Sequence, residues 1–285
     1  MSDIDLPIES PLTSASSLLS CVVCQLDTTK PPTANQLGQL QLVSTLLSGI
    51  EPYLNSVSSS APAVQRPLLK ATAEHDWEGA WSTRKTVLHL SAAWSAGAYQ
   101  GNFVGLLTKL SHAKKALEIG MFTGTTTVCI AQQLPPGGKV TALEIDPYLD
   151  TFTRPLFEQT GLGDKIEVKV GNAVESLEAI AKDVLSDEDA YDIIFIDADK
   201  PRYKSYFKTI LDCGLLKRSG LLVVDNTLYK GTPWTEGLVE EKMLEIGKEN
   251  AEAIKQFNSL VKEDKRVQVV VLPVRDGVSL IMRNE

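Results

Sequence analysis

Two short stretches late in the chain, Asp197-Ala198-Asp199-Lys200 and Asp225-Asn226, carry the residue types most able to do chemistry. Each follows an apolar run, 193–196 and 221–224, of a length and composition that reads as a buried strand. Acids just past the carboxyl ends of neighbouring strands in an open α/β sheet face the crevice where ligands bind. Asp197, Asp225 and Asn226 together offer three oxygen donors, which suits a hard divalent cation such as Mg²⁺. Lys200 stands three residues after Asp197 and can serve as a base once a nearby cation and nucleotide depress its pKa.

A second constellation precedes the first. Glu118-Ile119-Gly120-Met121-Phe122-Thr123-Gly124 follows an apolar run and opens a helical pattern. Glycines there let backbone approach a ligand closely. Glu144 ends the next strand, where an acid can accept both hydroxyls of a ribose. A dinucleotide would need a fuller glycine fingerprint to wrap its pyrophosphate, and Gly120 and Gly124 are the only glycines in this turn. That disfavours a dehydrogenase and leaves a nucleoside without pyrophosphate. S-adenosylmethionine fits, because it is a cation that acids can surround.

Those pieces imply transfer of a methyl group to oxygen. The nucleophile must be anionic and in line with the sulfonium methyl, yet a phenol with a pKa of about 10 is mostly neutral at pH 7. A divalent cation lowers that pKa and fixes the geometry. The natural acceptor is a small molecule with two adjacent oxygens, a catechol or an enediol. A nucleotide-binding module without catalysis stands as the alternative from another class, although such a module has no need of a metal site beside its ligand.

The elements that must position these residues begin near residue 116. Strand and helix patterns then alternate: strands at 116–119, 139–143, 165–170, 191–196 and 221–224, and helices at 124–134, 147–160, 173–185, 201–212 and within 235–261. Alternation of this kind predicts a doubly wound, mostly parallel sheet. Asp199 reads as a helix N-cap ahead of Pro201. At the end, 266–272 and 278–282 flank Arg275-Asp276-Gly277 and read as an antiparallel hairpin. Upstream, 1–30 reads as an arm with one short helix, and 33–50 as an amphipathic helix ended by Glu51-Pro52. Residues 58–67 have linker composition, and the division expected is a helical arm over 1–75 and a catalytic domain over 76–285. Ser82 is expected to cap a helix running to Gly97, followed by another over 102–113.

Composition excludes other classes. The net charge of −8 argues against nucleic acid and against an anionic membrane surface. No apolar run is long enough to span a bilayer, and the acidic first residues lack the basic start of a secretory signal. Cys21 and Cys24 have metal or redox spacing but no second pair, so all four cysteines read as buried thiols in a cytoplasmic protein. His75, His89 and His112 are scattered without ligand spacing, and Trp77, Trp81 and Trp94 read as aromatic core.

The motifs EIGMFTG, ALEID, FIDADKPRY, VDNTLYKG and LPVRDGVSLIMR resemble the caffeoyl-CoA and catechol type of cation-dependent O-methyltransferase over roughly residues 85–285. The resemblance implies a class I methyltransferase fold, a Rossmann-like seven-stranded sheet with its last strand antiparallel, in a homodimer. It implies that Asp197, Asp225 and Asn226 bind Mg²⁺. It implies that Glu118, Gly120, Thr123, Gly124, Thr126, Glu144, Ala173 and Tyr203 hold S-adenosylmethionine, with Asp197 facing its methionine part and Lys200 as base. Within that family, PYL near residue 53, DWEGAWS and DNTLYKG are similar to the O-methyltransferases of mycosporine biosynthesis, which act on demethyl-4-deoxygadusol. Where the plant enzymes carry Glu-Gly-Gln, this chain has Gln100-Gly101-Asn102.

Overall fold

The computed structural model describes residues 10–27, 29–235 and 247–284. The chain forms two compact units, divided between Ser60 and Ala61, within the linker-like stretch 58–67.

The first unit is a helical hairpin, α1 (Pro11–Gln25) and α2 (Ala34–Val57). Thr33 begins α2 with a capping box: its hydroxyl accepts the Gln36 N–H, and the Gln36 carboxamide accepts the Thr33 N–H at 2.8 Å. The expectation that Pro52 ends the helix is corrected. Pro52 removes only the bond to the carbonyl four residues back, close to the end at Val57, and the helix passes through it. The expectation of four buried thiols holds for Cys129 and is corrected for Cys213, which is exposed, and for Cys21 and Cys24. Ala15, Leu18 and Val22 recur at helical spacing and take the inner face of α1, which leaves Cys21 half-buried and Cys24 exposed.

The second unit holds a seven-stranded sheet in the order β3-β2-β1-β4-β5-β7-β6. The strands are β1 (Lys115–Ile119), β2 (Lys139–Glu144), β3 (Ile166–Val170), β4 (Tyr191–Ile196), β5 (Leu216–Asp225), β6 (Val267–Leu272) and β7 (Val278–Arg283). The first five run parallel, and β7 lies antiparallel between β5 and β6, as the expected class I methyltransferase fold requires. Both faces are covered. Leu117, Ile119, Ile194, Ile196, Leu222 and Val224 point to one side, where α8 (Ala173–Ala181), α9 (Tyr203–Asp212) and α10 (Lys248–Glu263) pack. Ala116, Val140, Ile193, Phe195 and Val223 point to the other, beneath α5 (Gly97–Leu110) and α6 (Thr125–Gln133). This is the alternation of a strand buried on both faces.

Two further helices belong to this unit. In α3 (Arg66–Glu74), Leu68 is fully buried against Met121, Val128 and Phe157. The other is α4 (Trp77–Ser82), and it corrects the reading of Ser82. Ser82 closes a helix that Asp76 opens, the Asp76 carboxylate accepting the Gly79 N–H at 2.8 Å. Arg84 then takes a left-handed backbone (φ 58°), which stops any continuation. The irregular stretch that follows is fixed by the Val87 N–H, which donates to Asp146 at 2.8 Å. Helix α7 (Pro147–Thr160) starts where the sequence places it, and α8 ends four residues before the expected limit of 185. The expected helix within 235–261 is seen as α10; residues 236–246 lie outside the described residues. Among the described residues no helix is long and apolar enough to cross a membrane.

Candidate active site

Strand register brings the two constellations together. Ile119 pairs with Leu143 on one side and Ile196 on the other, and Ile196 pairs with Val224. The residues just beyond, Gly120, Glu144, Asp197 and Asp225, therefore stand along one carboxyl edge of the sheet. The chain winds outward from β1 to β3 and returns to β4, so the gap between β1 and β4 is the switch point where such sheets bind ligands.

The glycine turn is built by close approach. Gly120 has φ +93°, and a Cβ there would lie 2.1 Å from the Asp197 carbonyl oxygen. The Asp197 N–H donates to the Ile119 carbonyl at 2.9 Å, and the Gly120 N–H to the Leu143 carbonyl at 3.0 Å. Gly124, also left-handed, precedes α6 with its α-carbon packed against the Phe157 ring. Thr123 and Thr126 are buried, and the Thr123 hydroxyl accepts from the Thr72 hydroxyl at 2.8 Å. Thr123 thus turns into the core and braces the turn from below.

Glu144 is buried and shaped by backbone. One carboxylate oxygen accepts the Phe122 N–H at 2.8 Å, the other the Asp146 N–H at 3.0 Å. Burial holds its pKa above the ordinary carboxylate value against those bonds. Each oxygen keeps a lone pair for a ribose hydroxyl. The Gly171 N–H donates to the Glu144 carbonyl at 2.8 Å, which brings Asn172 and Ala173 at the start of α8 to the same edge. Ile145 is 48% exposed directly after Glu144 and puts an apolar side chain at this edge. An isolated isoleucine carries no sequence signal, and the reading from sequence passed over it.

Glu118 points to the α5–α6 face, into the protein. The Thr127 hydroxyl donates to it. Complete burial raises its carboxyl to about 8, with the nearby Asp197 and Glu144 charges adding to the rise.

The acids at β4 and β5 form one cluster. Asp225 is buried, and its carboxyl is pushed up to about 7, first by burial and then by the charge of Asp197. The Asn226 N–H donates to one Asp225 oxygen at 2.8 Å, and the Gln100 carboxamide donates to the other. Asn226 itself has a left-handed backbone (φ 59°). The Lys200 ammonium donates to Asp197 at 3.2 Å, to the Ala198 carbonyl at 2.9 Å and to the Tyr203 hydroxyl at 2.8 Å. Burial alone would lower its pKa, but Tyr203 and the Asp197 and Asp225 carboxylates outweigh burial and hold it above the ordinary lysine value. In the unliganded protein two acids face one cation. Tyr203 is fully buried against Phe257, and burial holds its hydroxyl above the usual range. Asp199 sits before the turn Lys200–Arg202 without a side-chain cap bond and instead accepts from the Tyr206 hydroxyl.

Among the described residues no group of three or more His, Cys, Asp or Glu is gathered to hold a metal ion. The Asp197, Asp225 and Asn226 set has two such residues, and its third donor is an amide. Two mutually repelling carboxylates and a carboxamide, all oxygen donors, fit a hard divalent cation.

The family model described as O-methyltransferase matches residues 80–284. The chain belongs to the O-methyltransferase family. Caffeoyl-CoA O-methyltransferase 2 of Petunia hybrida is 32% identical over 228 residues, covering 80% of this chain and 86% of the relative. Caffeoyl-CoA O-methyltransferase 2 of Eucalyptus globulus is 29% identical over 257 residues, 90% of this chain and 96% of the relative. An SAH-bound Podospora anserina methyltransferase has the same fold, with a TM-score of 0.70 and 23% identity over 91% of this chain and all of the other. The enzyme is an O-methyltransferase.

The remaining sequence-flagged residues lie elsewhere in the enzyme. A cleft of about 570 Å³ is lined by His75, Trp77, His89 and Leu90 and includes none of Glu118, Glu144, Asp197 and Asp225. His75 meets Tyr148 there at 3.0 Å, and His89 pairs with Glu78 at 2.7 Å. Trp77 is core as expected, whereas Trp81 and Trp94 are exposed. Trp81 stacks on the half-open His89 ring, outside the reach of the core.

Proposed function

We propose that the enzyme moves the methyl group of S-adenosylmethionine to one oxygen of a vicinal diol, an enediol or a catechol, with a divalent cation held by Asp197, Asp225 and Asn226. The observation that carries this reading is the side-by-side placement of Asp197 and Asp225 beyond β4 and β5, at the edge that also holds Gly120 and Glu144. The relatives named for caffeoyl-CoA support an acceptor with adjacent oxygens. The finer assignment is demethyl-4-deoxygadusol to 4-deoxygadusol in mycosporine biosynthesis, and it rests on the sequence similarities described above. The expected arm ends at residue 75; the division between Ser60 and Ala61 gives 61–75 to the unit that carries the chemistry and leaves 1–60 as the arm, in a cytoplasmic homodimer.

In this reading Glu144 receives the ribose hydroxyls, and Gly120 lets the backbone lie against the methionine part. Ile145 and Ala173 face the base, and Asp197 faces the donor's cationic end, with Glu118 buried behind it. When bound, a divalent cation acidifies a chelated hydroxyl and neutralises the two carboxylates. Lys200 then loses the attraction that holds its extra proton, and its amine is placed to take the acceptor's proton. The acceptor oxygen's lone pair forms the new O–C bond as the C–S bond breaks. The bond electrons return to sulfur and leave S-adenosylhomocysteine.

The test is a product assay by mass spectrometry, with S-adenosylmethionine and either catechol or demethyl-4-deoxygadusol, with and without EDTA. Methylated product that disappears with the chelator and returns with Mg²⁺ is expected. Transfer that ignores the chelator removes the cation from the reading, and no transfer to any vicinal diol removes the acceptor class.

A further inference from the structure

We propose that the helical hairpin of α1 and α2 is a dimerisation element: one apolar face packs on the same face of a second copy of this chain, and the two hairpins close into a four-helix bundle. The inference rests on the homodimer of the reading above, to which it gives a surface, and is independent of the acceptor and the cation. The hairpin lies ahead of the residues that the family model matches. Two helices enclose little core of their own, and the buried cluster here is Ala15, Leu18 and Val43, with Leu46 packed against it. The chain turns back between the helices, and the Gln36 carboxamide donates to the Gln25 carbonyl at 3.0 Å, so α1 and α2 run antiparallel.

That seam uses only part of the apolar surface. At about 100° per residue, Leu12, Leu19 and Val23 stand about 40–80° round α1 from Ala15, on the side away from Leu18. Leu37, Leu40 and Leu47 stand about 40–120° round α2 from Val43, on the side away from Leu46. The sense of rotation is the same in both helices, and in an antiparallel pair that leads to one side of the hairpin. Five of the six are between 41 and 57% exposed, and Leu40 is half-buried. The opposite side carries Ser14, Cys21, Gln25 and Gln39, with Leu42 among them. One face is thus apolar and the other largely polar, the pattern of a helix pair that expects a further layer. Charge selects the occupant. Glu51 is the one charged residue in α1 and α2, and in the connection Asp27 and Lys30 pair with each other at 2.9 Å. A membrane surface is met by lysines and arginines on the polar side, and a foreign helix is chosen by charges flanking the seam. A neutral apolar face is instead complementary to itself, as a two-fold interface requires. The six residues leave roughly 450 Å² of apolar side chain open, and with a polar rim in the usual proportion the face comes to about 800 Å² per copy, which is what a standard interface buries.

The experiment is sedimentation equilibrium of the full-length protein, comparing the wild type with the double variant Leu19→Gln/Leu47→Gln and with Leu42→Gln as the control on the opposite side. The wild type is expected to be a dimer. The double variant should raise the dimer dissociation constant roughly a hundredfold or more, because a two-fold interface counts each substitution twice. Leu42→Gln, an equally exposed leucine outside the face, should leave it within about threefold of the wild type. A wild-type monomer overturns both the homodimer and this surface. A double variant that stays as tightly dimeric as the wild type overturns the surface alone and moves the homodimer to the catalytic unit. Equal weakening by Leu42→Gln overturns the assignment to this face. Hydrogen exchange of the wild type covers the case in which the double variant loses its helices. Amide protection in α1 and α2 should fall when the protein is diluted below its dissociation constant, and protection that ignores the dissociation overturns the proposal.

Discussion

Replacing Glu118 with glutamine turns a buried titrating acid into a neutral amide of the same shape, and it changes how stability follows pH. The Glu118 carboxyl is raised from 4.5 to about 8 on folding, chiefly by complete burial. The native state therefore keeps a proton that the unfolded chain gives up. Stability from this group is full below the unfolded value, falls as pH rises, and is gone above about 8. The whole span corresponds to roughly 5 kcal/mol, of which about 2 kcal/mol is lost between pH 6 and pH 8. The carboxamide introduced by Glu118→Gln would still accept from the Thr127 hydroxyl, so the variant retains that bond. Asp225, raised to about 7, titrates with the same sign in both proteins and cancels in the difference. The assay is urea unfolding of the unliganded protein at pH 6, 7 and 8 followed by tryptophan fluorescence. All four tryptophans lie beyond residue 61, so the signal reports the catalytic unit. The wild type should lose about 2 kcal/mol relative to Glu118→Gln across that range. Parallel pH curves for the two proteins would show that Glu118 is ionised in the folded state and that its burial is not what governs it.

Asp225→Asn should melt higher than the wild type above pH 7 without divalent cation, because it removes a carboxylate that burial and Asp197 disfavour, and it should no longer bind Mn²⁺; thermal melts and paramagnetic resonance read both. Gly120→Ala should cost roughly 3 kcal/mol or more in urea unfolding, since its left-handed backbone and a Cβ contact of 2.1 Å with the Asp197 carbonyl both oppose a side chain. Lys200→Met should destabilise the unliganded enzyme by roughly 3 kcal/mol at pH 7 by leaving Asp197 and the Tyr203 hydroxyl without their shared partner, and Tyr203→Phe should cost less, as chemical denaturation will rank.

Much of the catalytic unit was legible because its signals are local. Period and length place β1, β2 and β4 within a residue or two, since parallel strands buried on both faces are predominantly apolar. Asp146 and Pro147 mark the start of α7 by cap chemistry alone. The errors arise where two local signals compete. Ser82 and Asp76 are both good caps, and only the left-handed Arg84 decides that the helix lies between them. Pro52 normally ends a helix, yet near a terminus it removes one bond and the remaining turn survives.

The site divides in the same way. Gly120, Glu144, Asp197 and Asp225 each end a strand, so their shared edge follows from the sheet order once the strands are known. The charge state of Lys200 does not follow from spacing. Tyr203 and Asp197 are each three residues away in sequence, but the Asp225 carboxylate arrives from another strand, and together they hold the lysine above its ordinary value against burial. Gln100 is more distant still. It is separated from Asp225 by 125 residues, and the two meet only because α5 lies over the face of β5 at the level where that strand ends. The glutamine was visible as a departure in a pattern, but its meaning depends on the partner. Beside solvent it is a neutral substitution. Against a buried carboxylate it supplies a hydrogen-bond donor and adds no charge of its own.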